Sequence, residues 1–155
     1  RSSENSVDEL RCKYCITYCM YRSKYYRSGN IVGCIDAADE PVIFKIREVD
    51  GYWVRGVNFL NQKDLIATVP ELIPVEITED ILLMCGFRLE QIITGRYFAK
   101  FCHFTNGLYD GIDAYTDASW VKITRYNRFV DFFSSLHVFQ NTYRSMTGLE
   151  LEIDF

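Results

Sequence analysis

Short β-rich runs separated by turn signals constrain the fold of this chain more than any other sequence feature. Asp50-Gly51 separates two runs rich in Val, Ile and aromatic residues, and Asn106-Gly107 separates two more. Asp-Gly is a strong hairpin signal, because both central positions of a type I′ turn need φ above zero. The spacing predicts consecutive antiparallel hairpins, with residues 42–49 paired to residues 52–59.

The first half of the chain is predicted to be a small β module over residues 29–77. On its third β-rich run, Trp53 and Arg55 face the opposite side from Val54, as on a half-exposed strand. A module of about 40 such residues closes most naturally as a curled sheet or a small SH3-like barrel.

The second half, residues 78–155, is predicted to begin with a short helix. Thr78 is placed to act as its N-cap, and Gly86 is placed to end it. An antiparallel β-meander is then predicted from four β-rich runs, which cover residues 87–93, 96–104, 108–115 and 119–125.

The end of the chain is predicted to hold an amphipathic helix and a final strand. Apolar residues recur every three or four positions over residues 129–147, and Gly148 follows at the C′ position. Residues 149–155 alternate apolar and acidic side chains. The predicted fold class is α+β, with the SH3-like module followed by the meander packed against the C-terminal helix.

Composition limits the classes of protein that remain. The chain has 155 residues, 48% of them apolar, and a net charge of −4, which is ordinary for a globular protein of one or two small domains. The longest uninterrupted apolar stretch, residues 81–85, is far shorter than the ~20 residues of a membrane span. We expect a soluble cytoplasmic protein with no membrane partner. The acidic balance argues against nucleic-acid binding through phosphate contacts.

The first 28 residues differ from the rest in charge and pattern. They hold 6 Lys+Arg and 3 Asp+Glu and show neither strand alternation nor a helical face. We expect a poorly ordered leader over residues 1–28. The first methionine, Met20, suggests the hypothesis that translation starts there and that residues 1–19 are not translated.

Four cysteines supply a candidate metal site. Cys12, Cys15, Cys19 and Cys34 could offer four thiolates to a tetrahedral zinc ion. The set lacks the second CxxC-like knuckle of structural zinc sites. Incidental thiols in a loosely held leader are the favoured interpretation, so we expect no cofactor, with zinc as the alternative.

The two histidines and Cys102 are the other candidates for nucleophile and base chemistry. Neighbouring residues of a strand point to opposite faces, so Cys102 could not be activated by His103 and would need His137. We favour the interpretation in which Cys102 is a small buried hydrophobic residue and His103 is exposed.

A polar stripe is predicted on the last helix, opposite its aromatic face. Its members, at positions i, i+3, i+4 and i+7, are His137, Gln140, Asn141 and Arg144. Amides and imidazole offer both donors and acceptors. The stripe could contact a partner or cap a buried backbone group, and a solvated helix face is the alternative.

Two sets of carboxylates have no ligand pattern that we recognise. We interpret both as charges that keep edge strands from aggregating. The sets are Asp110, Asp113 and Asp117, and Glu150, Glu152 and Asp154.

Three phrases, at residues 27–32, 72–87 and 136–151, together resemble a family of short uncharacterised proteins encoded in Bacteroidetes genomes, prophages and related phages. The last phrase, which begins Leu-His-Val-Phe-Gln-Asn, is the most specific. The resemblance implies a phage or mobile-element setting and the two-part architecture described above, but no activity. It implies a shared structural or binding role for His137, Gln140 and Asn141.

These observations leave three classes of function. The leading hypothesis is a non-catalytic binding module for a host or phage macromolecule, most simply a protein, with a homodimer as an additional alternative. The second is a metal-binding protein or small enzyme that uses the Cys and His residues. The third is an SH3-like nucleic-acid-binding module that uses Trp53 and Arg55, because exposed aromatic side chains can stack on bases.

Overall fold

The computed structural model describes residues 26–93, 95 and 98–155, and the chain divides into two compact units, Arg1–Val75 and Glu76–Phe155. The described part is α+β, as predicted, with two antiparallel sheets and two short α-helices. The division falls two residues before the predicted boundary. Tyr26, assigned above to the poorly ordered leader, is instead buried in the N-terminal core.

The N-terminal unit contains a four-stranded antiparallel sheet in the order β1-β2-β3-β4. Its strands are Ile31–Ile35, Pro41–Asp50, Trp53–Asn58 and Asp64–Thr68. The predicted hairpin is confirmed, but its turn is shifted by one residue, because Asp50 pairs with Trp53 and the two loop residues are Gly51 and Tyr52. Only Gly51 of these has positive φ (60°), the pattern of a type II′ turn.

An apolar core fills one side of this sheet. Phe44, Ile46 and Val54 are fully buried in it. Gly56 lies so close to Phe44 that a Cβ at residue 56 would be 2.7 Å from the ring. Burial of the Phe44 ring removes a large apolar surface from water and contributes roughly 2–3 kcal/mol.

The chain returns to β1 after the fourth strand. A 3₁₀ turn, Val69–Glu71, follows β4 and begins where Glu71 accepts hydrogen bonds from the Thr68 backbone N–H and hydroxyl. Ile73 then pairs with Gly33 through two backbone hydrogen bonds of 2.6 and 2.7 Å. The edge of β1 that does not face β2 is thereby partly covered.

The C-terminal unit begins with the predicted short helix, α1, at Glu79–Met84. The Thr78 hydroxyl accepts a hydrogen bond from the Ile81 backbone N–H, which confirms the predicted N-cap. The helix ends before Gly86, whose φ of 93° is accessible to glycine at little steric cost.

Five antiparallel strands follow, each paired with the next along the chain. They are Phe87–Ile92 (β5), Ala99–Thr105 (β6), Leu108–Thr116 (β7), Val121–Arg125 (β8) and Arg128–Phe133 (β9). Asn106 and Gly107 both have positive φ and join β6 to β7 as predicted. Tyr126 and Asn127 also both have positive φ and form a second tight turn between β8 and β9.

The helix predicted over residues 129–147 is wrong in its first part. Residues 128–133 form β9, and the helix α2 covers Leu136–Thr147 only. Aromatic residues at three- and four-residue spacing match a helix, but these β-prone side chains follow a two-residue turn that pairs them with β8. The predicted end of the helix is confirmed, because Gly148 has φ of 75° and donates to the Arg144 carbonyl.

The strand predicted for residues 149–155 is also wrong. This segment has no ladder pairing; the backbone N–H of Asp154 instead donates to the carbonyl of Met84, 2.8 Å away. Leu151 is buried and Leu149 is 56% exposed. The acidic residues of this segment are therefore not charges on an edge strand.

No helix among the described residues combines the length and the apolar character that a membrane crossing requires.

Candidate functional site

One face of the C-terminal sheet packs against α2, and the other face carries a cluster of ionisable side chains. On the first face, the ring centroids of His103 and Tyr143 are 5.3 Å apart and those of Phe133 and Phe139 are 5.4 Å apart. Successive residues of β6 alternate between the faces. Lys100 and Cys102 therefore lie opposite α2. We call this side the polar face and define it by Glu90, Lys100, Cys102, Tyr109, Asp113 and Thr124.

Three strands bring potential ligand atoms together at the centre of the polar face. The thiol of Cys102, a carboxylate oxygen of Glu90 and one of Asp113 all lie within 4.8 Å of one another. Cys102 is directly paired with Asp113 across β6 and β7. Glu90 is the extra residue at a register shift in β5, and its Oε1 accepts a hydrogen bond from Cys102 Sγ at 2.8 Å.

Neighbouring side chains stabilise the carboxylates of Glu90 and Asp113 by charge and by hydrogen bonding. The Lys100 ammonium lies 3.1 Å from Glu90 Oε1. The Tyr109 hydroxyl lies 2.9 Å from both carboxylate oxygens of Asp113 and donates to them. Asp113 is only 1% exposed, so these partners offset the penalty for burying a carboxylate.

The electrostatics of the cluster keep Cys102 protonated. Burial and the nearby Glu90 and Asp113 carboxylates raise the pKa of the Cys102 thiol to about 12. Burial and Asp113 also raise the pKa of Tyr109, and the hydrogen bond to Glu90 raises that of Lys100. The hydrogen bonds from Cys102 and Lys100 lower the pKa of Glu90. A thiol with a raised pKa is a poor nucleophile at neutral pH.

An aromatic edge borders the polar face. Val130 is the extra residue of β9 between Phe129, which pairs with Thr124, and Asp131. Phe129 and Phe132 consequently point to the same face, and their ring centroids are 5.0 Å apart. Trp120 lies 4.4 Å from Phe132 by the same measure. We call Trp120, Phe129 and Phe132 the aromatic edge.

His103 is buried, which reverses the prediction for the Cys102-His103 pair. The ring of His103 is 3% exposed, whereas Cys102 is partly exposed. Its Nδ1 lies 2.7 Å from Asp110 Oδ2, and its Nε2 lies 2.8 Å from the Cys85 carbonyl oxygen. Both partners are hydrogen-bond acceptors, so the ring of His103 is held at both of its nitrogens.

This histidine lines a cleft of about 750 Å³ beside the end of α1. Tyr143 and Glu152 also line it, as does Cys85. Burial raises the pKa of the Cys85 thiol to about 12. The cleft therefore holds a protonated thiol and a histidine with both nitrogens bonded, which is not the arrangement of an activated nucleophile and its base.

The predicted polar stripe on α2 is not one exposed surface. His137 is 6% exposed and Gln140 is 2% exposed, so both are buried in the same helix as Leu136 and Phe139. Asn141 is partly buried, and Arg144 is exposed and contacts Glu150 at 2.6 Å. A solvated helix face is therefore excluded for His137 and Gln140.

The three aspartates predicted to protect edge strands have other positions. Asp110 and Asp113 lie on β7, in the middle of the sheet, and bind His103 and Tyr109 respectively. Asp117 follows β7, and its backbone N–H donates to the Trp120 carbonyl.

Trp53 and Arg55 lie on β3 as predicted and are both exposed, Trp53 by 54%. Arg55 lies 3.8 Å from Glu48, so its charge is partly balanced.

Only one of the four cysteines proposed as zinc ligands belongs to the described residues. Cys34 is 3% exposed and packs in the N-terminal apolar core. Burial raises the pKa of its thiol, and Glu71 and Asp36 raise it further. Cys12, Cys15 and Cys19 lie outside the described part of the chain.

No sequence pattern indicated that one cluster contains Glu90, Lys100, Tyr109 and Thr124. Alternation along β6 was sufficient to place Lys100 and Cys102 on the same face. The positions of the other members depend on which residues of neighbouring strands pair with each other. Register shifts in β5 and β7 determine that pairing.

Comparison with protein-family models, with curated proteins and with solved structures finds no match to this chain.

Proposed function

We propose that this protein is a non-catalytic binding module that holds an extended segment of a partner protein against the aromatic edge. The observation that carries this proposal is the exposed aromatic cluster on a terminal strand. Phe129 is 56% exposed and Phe132 is 47% exposed. Aromatic side chains grouped on an accessible surface are typical of protein interfaces and their energetic centres.

The position of β9 supports an extended partner. Among the described strands, β9 pairs with β8 alone and is the last strand of its sheet. An edge strand presents backbone donors and acceptors that an incoming strand can use. Arg128 and Asp131 give this edge both signs of charge, which suits a partner segment with mixed charges beside apolar residues.

The thiols of the cleft and of the polar face are not activated, which supports binding over catalysis. Cys85 and Cys102 both have pKa values raised to about 12, so neither resembles the low-pKa thiol of a cysteine enzyme. The resemblance to phage and prophage proteins is compatible with an accessory binding role but is a separate expectation.

For the N-terminal unit we propose an SH3-like barrel that serves as a scaffold. Its support is the strand order, in which the chain passes from β4 through a 3₁₀ turn and then pairs Ile73 with β1. A return of the chain to the first strand brings such a sheet toward closure as a small barrel. A nucleic-acid surface on Trp53 and Arg55 is the alternative function, and loss of binding in Trp53→Ala with steep salt dependence is the result that would favour it.

The test is a selection of random-sequence displayed peptides on the immobilised full chain, followed by calorimetry with the enriched peptides. We expect peptides with alternating apolar residues that bind the parent chain. The variant Phe129→Ser/Phe132→Ser should bind them at least about tenfold more weakly. Leu60→Ser is the matched control, because Leu60 is 75% exposed in the other unit, and it should bind like the parent.

Equal affinity of the parent and the double variant would overturn the proposal. A second copy of this chain is the other occupant that the test detects. Sedimentation velocity showing a parent dimer that Phe129→Ser/Phe132→Ser dissociates would replace the partner segment with β9 of a second copy.

A further inference from the structure

We propose that Glu90, Cys102 and Asp113 bind one divalent transition-metal ion, for which zinc is the best match. The proposal is independent of the partner surface on the aromatic edge. A thiolate with two carboxylates is a donor set suited to zinc and too soft for magnesium or calcium. Each ligand comes from a different strand of one sheet, β5, β6 and β7, which is a rigid support for a metal site.

The distances fit one ion with little movement. The three ligand atoms lie within 4.8 Å of one another. Zinc binds sulfur at about 2.3 Å and carboxylate oxygen at about 2.0–2.2 Å, so two ligands of one tetrahedral ion lie roughly 3.3–3.7 Å apart. Small side-chain rotations at Glu90, whose side chain is 44% exposed, bring the set into this range.

A buried hydroxyl next to the cluster is a second, separate indication of a ligand. Thr124 is directly paired with Asp113, so its side chain lies on the polar face beside that carboxylate. Thr124 is 6% exposed, and among the described residues its Oγ1 has no hydrogen-bond partner. Buried polar atoms almost always have one. A metal-bound water or a shifted Asp113 carboxylate would supply it.

The charges of the site also match a divalent ion. Two carboxylates and one thiolate carry three negative charges, and the Lys100 ammonium at 3.1 Å from Glu90 supplies one positive charge. The remaining two negative charges are those that a divalent cation neutralises. When the ion binds, the S–H bond of Cys102 breaks, its proton passes to solvent, and the sulfur electron pair forms the bond to the metal.

The experiment titrates zinc and cobalt into the full chain in which Cys12, Cys15 and Cys19 are replaced by serine. This background removes the thiols of the other candidate zinc site. We expect one equivalent of zinc by calorimetry. With cobalt, we expect sulfur-to-metal charge-transfer absorption from a single thiolate, because Cys34 and Cys85 are buried elsewhere.

Three variants and one control test the position of the ion. Cys102→Ser should abolish the charge-transfer absorption. Glu90→Gln, at a half-exposed position where folding is least at risk, should lower zinc affinity at least about tenfold. Glu152→Gln removes an exposed carboxylate of the same unit outside the cluster and should leave affinity within about twofold. Lys100→Gln should tighten zinc binding, because it removes the ammonium group that pairs with Glu90 and competes with the metal ion.

Three results would overturn the proposal. One is a lack of binding in the triple-serine background, including the case in which the unaltered chain binds through its first three cysteines. Another is charge-transfer absorption that persists in Cys102→Ser. The third is equal zinc affinity in Glu90→Gln and Glu152→Gln.

Discussion

The two units of this chain bury very different side chains. In the described part of the N-terminal unit, the buried polar residues are Asn30 and Asn58, and each accepts a turn hydrogen bond of 2.9 Å from a backbone N–H. The described residues of the C-terminal unit include six buried polar ones: His103, Asp113, Thr116, Thr124, His137 and Gln140. Burying polar groups costs stability unless they are well paired. This contrast supports the proposal that the second unit, and not the first, carries the binding surface.

Strand regularity shows the same contrast. The described N-terminal sheet has one register shift, in β2, whereas the C-terminal sheet has three, in β5, β7 and β9. Register shifts redirect side chains and are frequent beside functional sites. The shift in β5 presents Glu90 on the polar face, and the shift in β7 places Asp113 opposite Cys102. The shift in β9 aligns Phe129 with Phe132 on the aromatic edge.

The largest expected effect is the loss of the apolar core in the N-terminal unit. Phe44→Ala should lower the free energy of unfolding by about 3–5 kcal/mol, because the fully buried ring leaves a cavity. The measurement is denaturant unfolding followed by Trp53 fluorescence in a Trp120→Phe background. The exposed Leu60→Ala is the control. A loss below about 1 kcal/mol would contradict an apolar core that stabilises this unit.

The buried His103-Asp110 pair provides the corresponding test in the C-terminal unit. His103→Leu should lower the free energy of unfolding by about 3 kcal/mol, because it leaves the Asp110 carboxylate without the His103 ring that bonds it at 2.7 Å. The measurement uses Trp120 fluorescence in a Trp53→Phe background. The double variant His103→Leu/Asp110→Leu should recover part of the loss. A double variant that is less stable than the single one would contradict a direct interaction between His103 and Asp110.

Two glycines with positive φ, one in each unit, give a smaller effect. Gly51→Ala should cost about 1 kcal/mol from backbone strain alone, because its added Cβ meets no atom within 4 Å. Gly111→Ala should cost more, since its Cβ would lie 2.3 Å from the Tyr126 ring. Unfolding in denaturant compares the two. Equal losses would show that the Tyr126 ring moves away freely.

The smallest effect concerns the reactivity of Cys102. In the presence of a chelator at pH 8, its alkylation should be slow for a partly exposed thiol, because burial and two carboxylates raise its pKa to about 12. Glu90→Gln removes one carboxylate, lowers this pKa, increases the thiolate fraction and should speed alkylation roughly three- to tenfold. Mass spectrometry of the labelled peptide gives the rate. No acceleration relative to Glu152→Gln would contradict the direct contact.

Caps, turns and helix ends depend on a few neighbouring residues, and the sequence predicted several of them correctly. Thr78 as a cap, Asn106-Gly107 as a turn and Gly148 as the helix end are all confirmed. Residues 129–133 were assigned to a helix because apolar spacing alone cannot distinguish a helix from a strand with a register shift. The turn at Tyr126 and Asn127 was missed because tyrosine rarely adopts positive φ.

The polar face could not be predicted from the sequence, because a register shift again decides which residues lie together. The Asn106-Gly107 turn pairs Thr105 with Leu108, and an ideal ladder continued from there would set Cys102 opposite Gly111. The structure pairs Cys102 with Asp113 instead, because β7 contains two extra residues near Gly111, whose φ is 83°. Strand alternation predicts a face, but a register shift decides which residues meet on it.

The most direct test of the central claim compares one exposed aromatic residue from each unit. Phe132 is 47% exposed in the C-terminal unit, and Trp53 is 54% exposed in the N-terminal unit. The measurement is the calorimetric affinity of Phe132→Ser and Trp53→Ser for one selected peptide. If the C-terminal unit carries recognition, Phe132→Ser binds at least about tenfold more weakly than the parent chain and Trp53→Ser stays within about twofold. The reverse order would place recognition on the N-terminal unit and contradict the account.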